Sequence, residues 1–147
     1  MTGTSGTTAP APGGTRGPSP GLYQAYHWTL GVFLVGGVVQ IFLAGLGVFP
    51  GGGPGIDPHR FFALVLAGIA FVAVVLAALA RAGGRAIGLS VLLFLLVFFA
   101  QGFLAAWGRD LSAWFGGLHA LDGLIIVGLA GYLFGSSSRR HPPVSRR

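Results

Sequence analysis

The chain has 147 residues, 53% of them hydrophobic and only 8% charged, with a mean hydropathy of +0.78 and a net charge of +6. A soluble domain carries about 25% charged residues, so a water-soluble globular fold is excluded. The nine cations are all arginine and gather in the tails and connections rather than on one polar face, which excludes a nucleic-acid-binding surface. The absence of cysteine removes disulfides, thiolate metal sites and covalently attached haem, and leaves His, Asp, Gln and backbone for any chemistry.

Residues 1–21 are rich in Thr, Gly, Pro and Ser. They hold too little apolar surface to order themselves and read as a disordered tail. They also lack the basic start and apolar core of a signal peptide. Four apolar runs follow, each near the roughly 20 residues needed to cross a hydrocarbon core: 28–48, 61–80, 86–108 and 118–134. The second contains no polar residue. A soluble amphipathic helix would place polar residues at helical spacing along it, so lipid is its natural surrounding. Residues 136–147 form a polar, basic tail. The expected fold is therefore all-α and integral to the membrane: a four-transmembrane-helix bundle over 22–135, built from two tandem helical hairpins.

With the N-terminus in the cytoplasm, seven arginines lie inside (Arg16, Arg81, Arg85, Arg139, Arg140, Arg146, Arg147). Two lie outside, Arg60 and Arg109, each near an aspartate. By the positive-inside rule the expected location is the cell membrane, with multiple passes and both termini cytoplasmic. Tyr23, Tyr26 and Trp28 at one boundary, and Trp107 and Trp114 at the other, suit aromatic belts. Gly45, Gly47, Gly68, Gly123, Gly128 and Gly131, with Ala63, Ala67, Ala73 and Ala77 at four-residue spacing, would let helices approach closely.

The sequence repeats itself. Gln40-Ile-Phe-Leu-Ala-Gly-Leu-Gly47 ends the first run, and Gln101-Gly-Phe-Leu-Ala-Ala-Trp-Gly108 ends the third. Gln, Phe, Leu, Ala and Gly recur in register. A histidine follows each segment, His59 after Gln40 and His119 after Gln101, and each is expected to open the next helix. Asp57-Pro58-His59 reads as N-cap, N1 and N2 of the second helix. His27 and His141 fall on the cytoplasmic side and read as interfacial or tail residues.

Polar groups inside lipid are costly and usually face the bundle interior. The repeat brings Gln40, Gln101, His59, His119 and Asp122 to one end of the bundle. Two neutral imidazoles on different helices suit the axial positions of a haem. Arg60 or Arg109 would then pair with a propionate, and Asp122, one turn after His119, would help position that end. The pattern of a Gln-bearing end to helices one and three, with a His-Arg opening helix two and a His opening helix four, resembles one half of the haem A synthase family. It also resembles small four-helix membrane proteins of actinobacteria. The resemblance covers about residues 26–133 and implies His59 and His119 as axial ligands. Ile56 stands where the synthases carry a carboxylate, three residues before the first histidine, and a second half is absent, so haem binding is expected rather than haem A synthesis.

The expected function is a bis-histidine membrane protein carrying haem b, with an electron-transfer or redox role at the extracytoplasmic side. Its partners would be the lipid bilayer and a membrane redox protein or further copies of the chain. The alternatives are a non-catalytic structural or partner subunit without cofactor, and a small oligomeric transporter. The last is disfavoured because no span is visibly broken at mid-membrane.

Overall fold

The computed structural model describes residues 19–48 and 55–139. Most of the expected N-terminal tail with Arg16, the glycine-rich part of the first connection, and the last residues with Arg140, His141, Arg146 and Arg147 lie outside the described residues. Four helices make up the rest: α1 (Pro20–Val48), α2 (Asp57–Leu79), α3 (Gly84–Asp110) and α4 (Ala113–Ser138). Each is long and apolar enough to cross a membrane, and among the described residues there is no strand. Large apolar side chains such as Val35, Phe42, Leu64, Phe103 and Leu124 are exposed, as expected for a bundle whose solvent is lipid. The fold is the four-helix membrane bundle its composition demands.

The helices form a ring. α1 packs on α2 and α4, and α3 packs on the same two, while neither diagonal pair brings its Cα atoms within 8 Å among the described residues. α2 and α4, which carry the two repeat histidines, therefore face each other across the bundle axis. Packing is uneven along that axis. Tyr26, Leu30, Phe33, Leu66, Ala70, Ala73, Ala77, Leu93, Ala130 and Leu133 form the core, whereas no residue of Gln101–Asp110 is buried. The bundle is thus tight at the end holding the termini and looser at the histidine end.

Small residues let the helices close, including some that the sequence did not single out. A Cβ on Gly36 would stand 2.6 Å from Leu66 Cδ2, one on Gly31 would stand 3.1 Å from Phe134, and one on Gly37 would stand 3.3 Å from Val127. Gly45, Gly68, Gly128 and Gly131 have open space instead, because they face outward. Ala67, Ala70, Ala73 and Ala77 line the buried face of α2.

The tight end also absorbs residues expected at the interface. Tyr23 and Tyr26 are buried and so do not form a lipid-facing belt with Trp28, which is exposed. The Tyr26 hydroxyl meets Ser90 Oγ at 3.0 Å, and Ser90 itself donates to Ala86 O, so Tyr26 is the donor. His27 stacks on Phe134 with ring centroids 4.4 Å apart and bonds Ser137 Oγ at 2.7 Å. His27 is thus packed against the end of α4. These contacts extend both terminal helices beyond their apolar runs. Pro20 starts α1 at the first helical position, where its missing N–H costs nothing. Ser136, Ser137 and Ser138 each donate back to a carbonyl of the preceding turn.

Two helix starts and the interior of one helix differ from expectation. The residue preceding α2 is Ile56, with no side-chain cap. Asp57 lies inside the first turn, where its charge favours the helix dipole, and it pairs with Arg60 at 3.4 Å. α3 is not uniform: Gly84–Leu95 is α-helical, Leu96–Ala100 forms a π-turn, and Gln101–Asp110 resumes the α form. The Gln101 N–H bonds Leu96 O, one residue farther back than in an α-helix. α4 begins at Ala113, where Ser112 Oγ accepts from the Trp114 N–H, and it runs unbroken through Gly116 and Gly117. His119 accordingly lies two turns inside α4 rather than at its opening, and Asp122 has no capping role.

Candidate functional site

The glutamine and histidine of each hairpin bond each other in the same way. In the first, Gln40 Nε2 donates to His59 O at 3.0 Å and His59 Nδ1 meets Gln40 O at 3.1 Å. In the second, Gln101 Nε2 donates to His119 O at 2.9 Å and His119 Nδ1 meets Gln101 O at 3.2 Å. A carbonyl can only accept, so each Nδ1 carries a proton, and in the neutral imidazole each Nε2 presents a lone pair. The matched glycines make this approach feasible. A Cβ on Gly47 would lie 3.0 Å from the Ile56 backbone, and one on Gly108 would lie 2.9 Å from Gly116 N. In both hairpins a glycine at the seventh position after the glutamine lets the end of one helix lie close to the start of the next.

The two imidazoles meet across the bundle. Their ring centroids are 6.2 Å apart and their planes are inclined by 69°. Both are half-buried and line a cavity of about 410 Å³ at the loose end, within the roughly 300–1,000 Å³ of small-molecule sites. Gln40, Gln101, Arg60 and Arg109 also line it, and the remaining wall is apolar, including Phe33, Leu66, Val97, Ile126 and Val127. The structure therefore brings together His59, His119, Gln40, Gln101, Arg60 and Arg109 at one cavity. Asp122 sits behind that wall, buried, and accepts from Gln101 Nε2 at 2.9 Å.

The two halves of the site differ in two respects. Asp122 takes the second N–H of Gln101. Phe62 occupies the corresponding place in the first hairpin, three residues after the histidine, and has no acceptor to offer. The Gln40 amide instead leans toward His59 Nε2 at 3.4 Å, and Gln40 Oε1 is buried with no hydrogen-bond partner among the described residues. The cations differ too. Arg60 is held by Asp57, whereas Arg109 makes no ion pair among the described residues.

Among the described residues no group of three or more His, Asp or Glu side chains is arranged to hold a bare metal ion. The π-turn, whose Val97 and Phe98 line the cavity, carries no sequence signal beyond an ordinary apolar run. Its place beside a cavity fits the tendency of such turns to occur at functional sites.

Residues 40–106 are similar to a family described as "Family of unknown function (DUF6220)". That stretch, just under half the chain, takes in Gln40, His59 and Gln101 and stops before His119 and Asp122. No curated protein and no solved structure matches the chain.

Proposed function

We propose that this protein binds one haem b in the cavity between α2 and α4, with His59 and His119 as axial ligands, and serves an electron-transfer or redox role. The observation that carries this reading is the pair of facing imidazoles, each with Nδ1–H engaged by a backbone carbonyl and Nε2 left as a donor atom. The ring centroids lie 6.2 Å apart, close enough for the two imidazoles to hold one metal centre between them. When bound, haem supplies a one-electron redox centre. The chain's own residues fix the ligand tautomers through the Gln40 and Gln101 carbonyls, shield the cavity with apolar side chains, and place Arg109 and Arg60 where carboxylates would find cations. The resemblance to one half of haem A synthase supports the same ligand pair.

In this reading the hairpins are tandem repeats related by rotation about the membrane normal, and the arginine distribution puts the site at the extracytoplasmic side with both termini cytoplasmic. The test is spectroscopic. Protein purified from haem-replete cells should show a Soret band that sharpens and shifts on reduction with dithionite. His59→Ala and His119→Ala should each abolish the low-spin spectrum, while His27→Ala should retain it. A colourless wild-type protein would refute the proposal.

One observation favours a second reading, a structural or partner subunit without cofactor. The Gln–His bonds stitch each hairpin together, and such bonds between spans stabilise by about 0.6 kcal/mol apiece. Colourless protein that loses thermal stability in both histidine variants would establish that role.

A further inference from the structure

The wall of the cavity is breached on one side. Leu64 on α2 and Phe98 in the π-turn of α3 both line it, yet they are 66% and 48% exposed. The cause lies in how the two helices diverge. α2 packs along Gly84–Leu95 and reaches the π-turn, but no Cα of Gln101–Asp110 comes within 8 Å of an α2 Cα. The π-turn thus falls where α3 parts from α2, and beyond it the seam stands open.

The other inter-hairpin seam is closed at the same level. Gly37, three residues before Gln40, lets α4 come so near that its Cβ position lies 3.3 Å from Val127. Val127 is eight residues after His119. The matching positions between α2 and α3 are Phe98, three residues before Gln101, and Ala67, eight after His59; there α2 still packs on the π-turn and Ala67 is buried, so the opening lies beyond them, along Gln101–Asp110.

The surroundings of the breach are apolar. Leu64, Phe98, Gly102 and Ala105 border it, and Arg109 lies beyond them toward the connection to α4. A Cβ on Gly102 would have nothing within 4 Å. We propose that the cavity opens sideways into the hydrocarbon layer through the α2–α3 seam and takes its ligand from the bilayer, as a flat apolar amphiphile whose carboxylate end meets Arg109. Only the identification of that ligand as haem rests on the function proposed above. The opening rests on the divergence of α2 and α3. Arg109, with no acidic partner among the described residues, is the better anchor for the anionic end than Arg60, which Asp57 already holds.

The chain has no cysteine, so Ala105→Cys gives a unique site for a nitroxide label in protein reconstituted in liposomes. The label should be relaxed strongly by oxygen, which partitions into lipid, and weakly by a water-soluble nickel chelate. It should match a label at lipid-facing Leu124→Cys. Adding Gly102→Trp, or Gly102→Leu should the tryptophan prevent folding, should plug the seam and cut the oxygen effect severalfold. A label relaxed mainly by the chelate would mean the cavity opens to water, and one sheltered from both would mean it is sealed. Either result overturns the proposal. Haemin dissolved in the liposomes should then load several-fold more slowly into the plugged protein, and more weakly into Arg109→Gln. Oxygen access at Ala105 without any low-spin Soret band would leave the lateral opening standing and remove haem as its ligand.

Discussion

Asp122 shows how one side chain can set the state of a neighbour it does not touch. An aspartate within a span costs up to about 2.5–3.5 kcal/mol to insert, so its position calls for a partner. That partner is the Gln101 amide. By taking the second N–H, Asp122 keeps the amide away from His119 Nε2, whereas the Gln40 amide, lacking such an acceptor, approaches His59 Nε2. Asp122→Leu should therefore let Gln101 turn toward His119 and lower stability in detergent by about 0.6–1.7 kcal/mol, the range of measured bonds between spans. Asp122→Asn keeps an acceptor oxygen and should stay close to wild type. Thermal unfolding of the three proteins checks this, and a stable leucine variant would show that the Gln101 bond has no structural weight. In sequence, Asp122 was visible as a polar residue one turn after His119. Its partner was not, because the side-chain bond depends on the helix crossing that places α3 beside α4.

At the scale of the elements, the matched glycines separate positions that constrain packing from those that merely permit it. Gly108→Ala would place a Cβ 2.9 Å from the Gly116 backbone nitrogen, where no side chain can yield. Overpacking of this kind costs about 1–3 kcal/mol. Gly45→Ala points into open space and should be neutral or gain up to about 1 kcal/mol from helix propensity. Melting temperatures should move in opposite directions or differ clearly, and equal behaviour would contradict the crossing described here. The four spans and the Gln/His pairing were legible because apolar length and rare polar residues survive in a low-complexity background. The glycines that seat the helices were only half legible. Gly36 and Gly37 carry no more local signal than Gly45, and what distinguishes them is whether Leu66 and Val127 lie opposite. The π-turn was not legible at all, since Leu96–Ala100 has the composition of any buried α-helix. The length of α4 was underread because Ser112 caps it upstream of the apolar run.

For the molecule as a whole, orientation decides which compartment faces the histidine end. α1 and α4 place the first and last described residues at the tight end, and the 55–57 and 110–113 connections at the other. Arg81 and Arg85 join the tight end through the α2–α3 turn, where Arg81 adopts φ 51° as the left-handed residue closing α2. The positive-inside rule is the ground for the proposal that this end faces the cytoplasm. Single cysteines test it without background, because the chain has none of its own. Ser137, buried against His27, would be a poor reporter, whereas Ser138 is exposed. An impermeant maleimide should label Gly53→Cys in intact cells and Ser138→Cys only after permeabilisation. The reverse pattern would place the His59–His119 cavity at the cytoplasmic face. A redox partner of the proposed haem site would then have to reach it from inside the cell, although the proposed lateral opening between α2 and α3 would still face the same lipid.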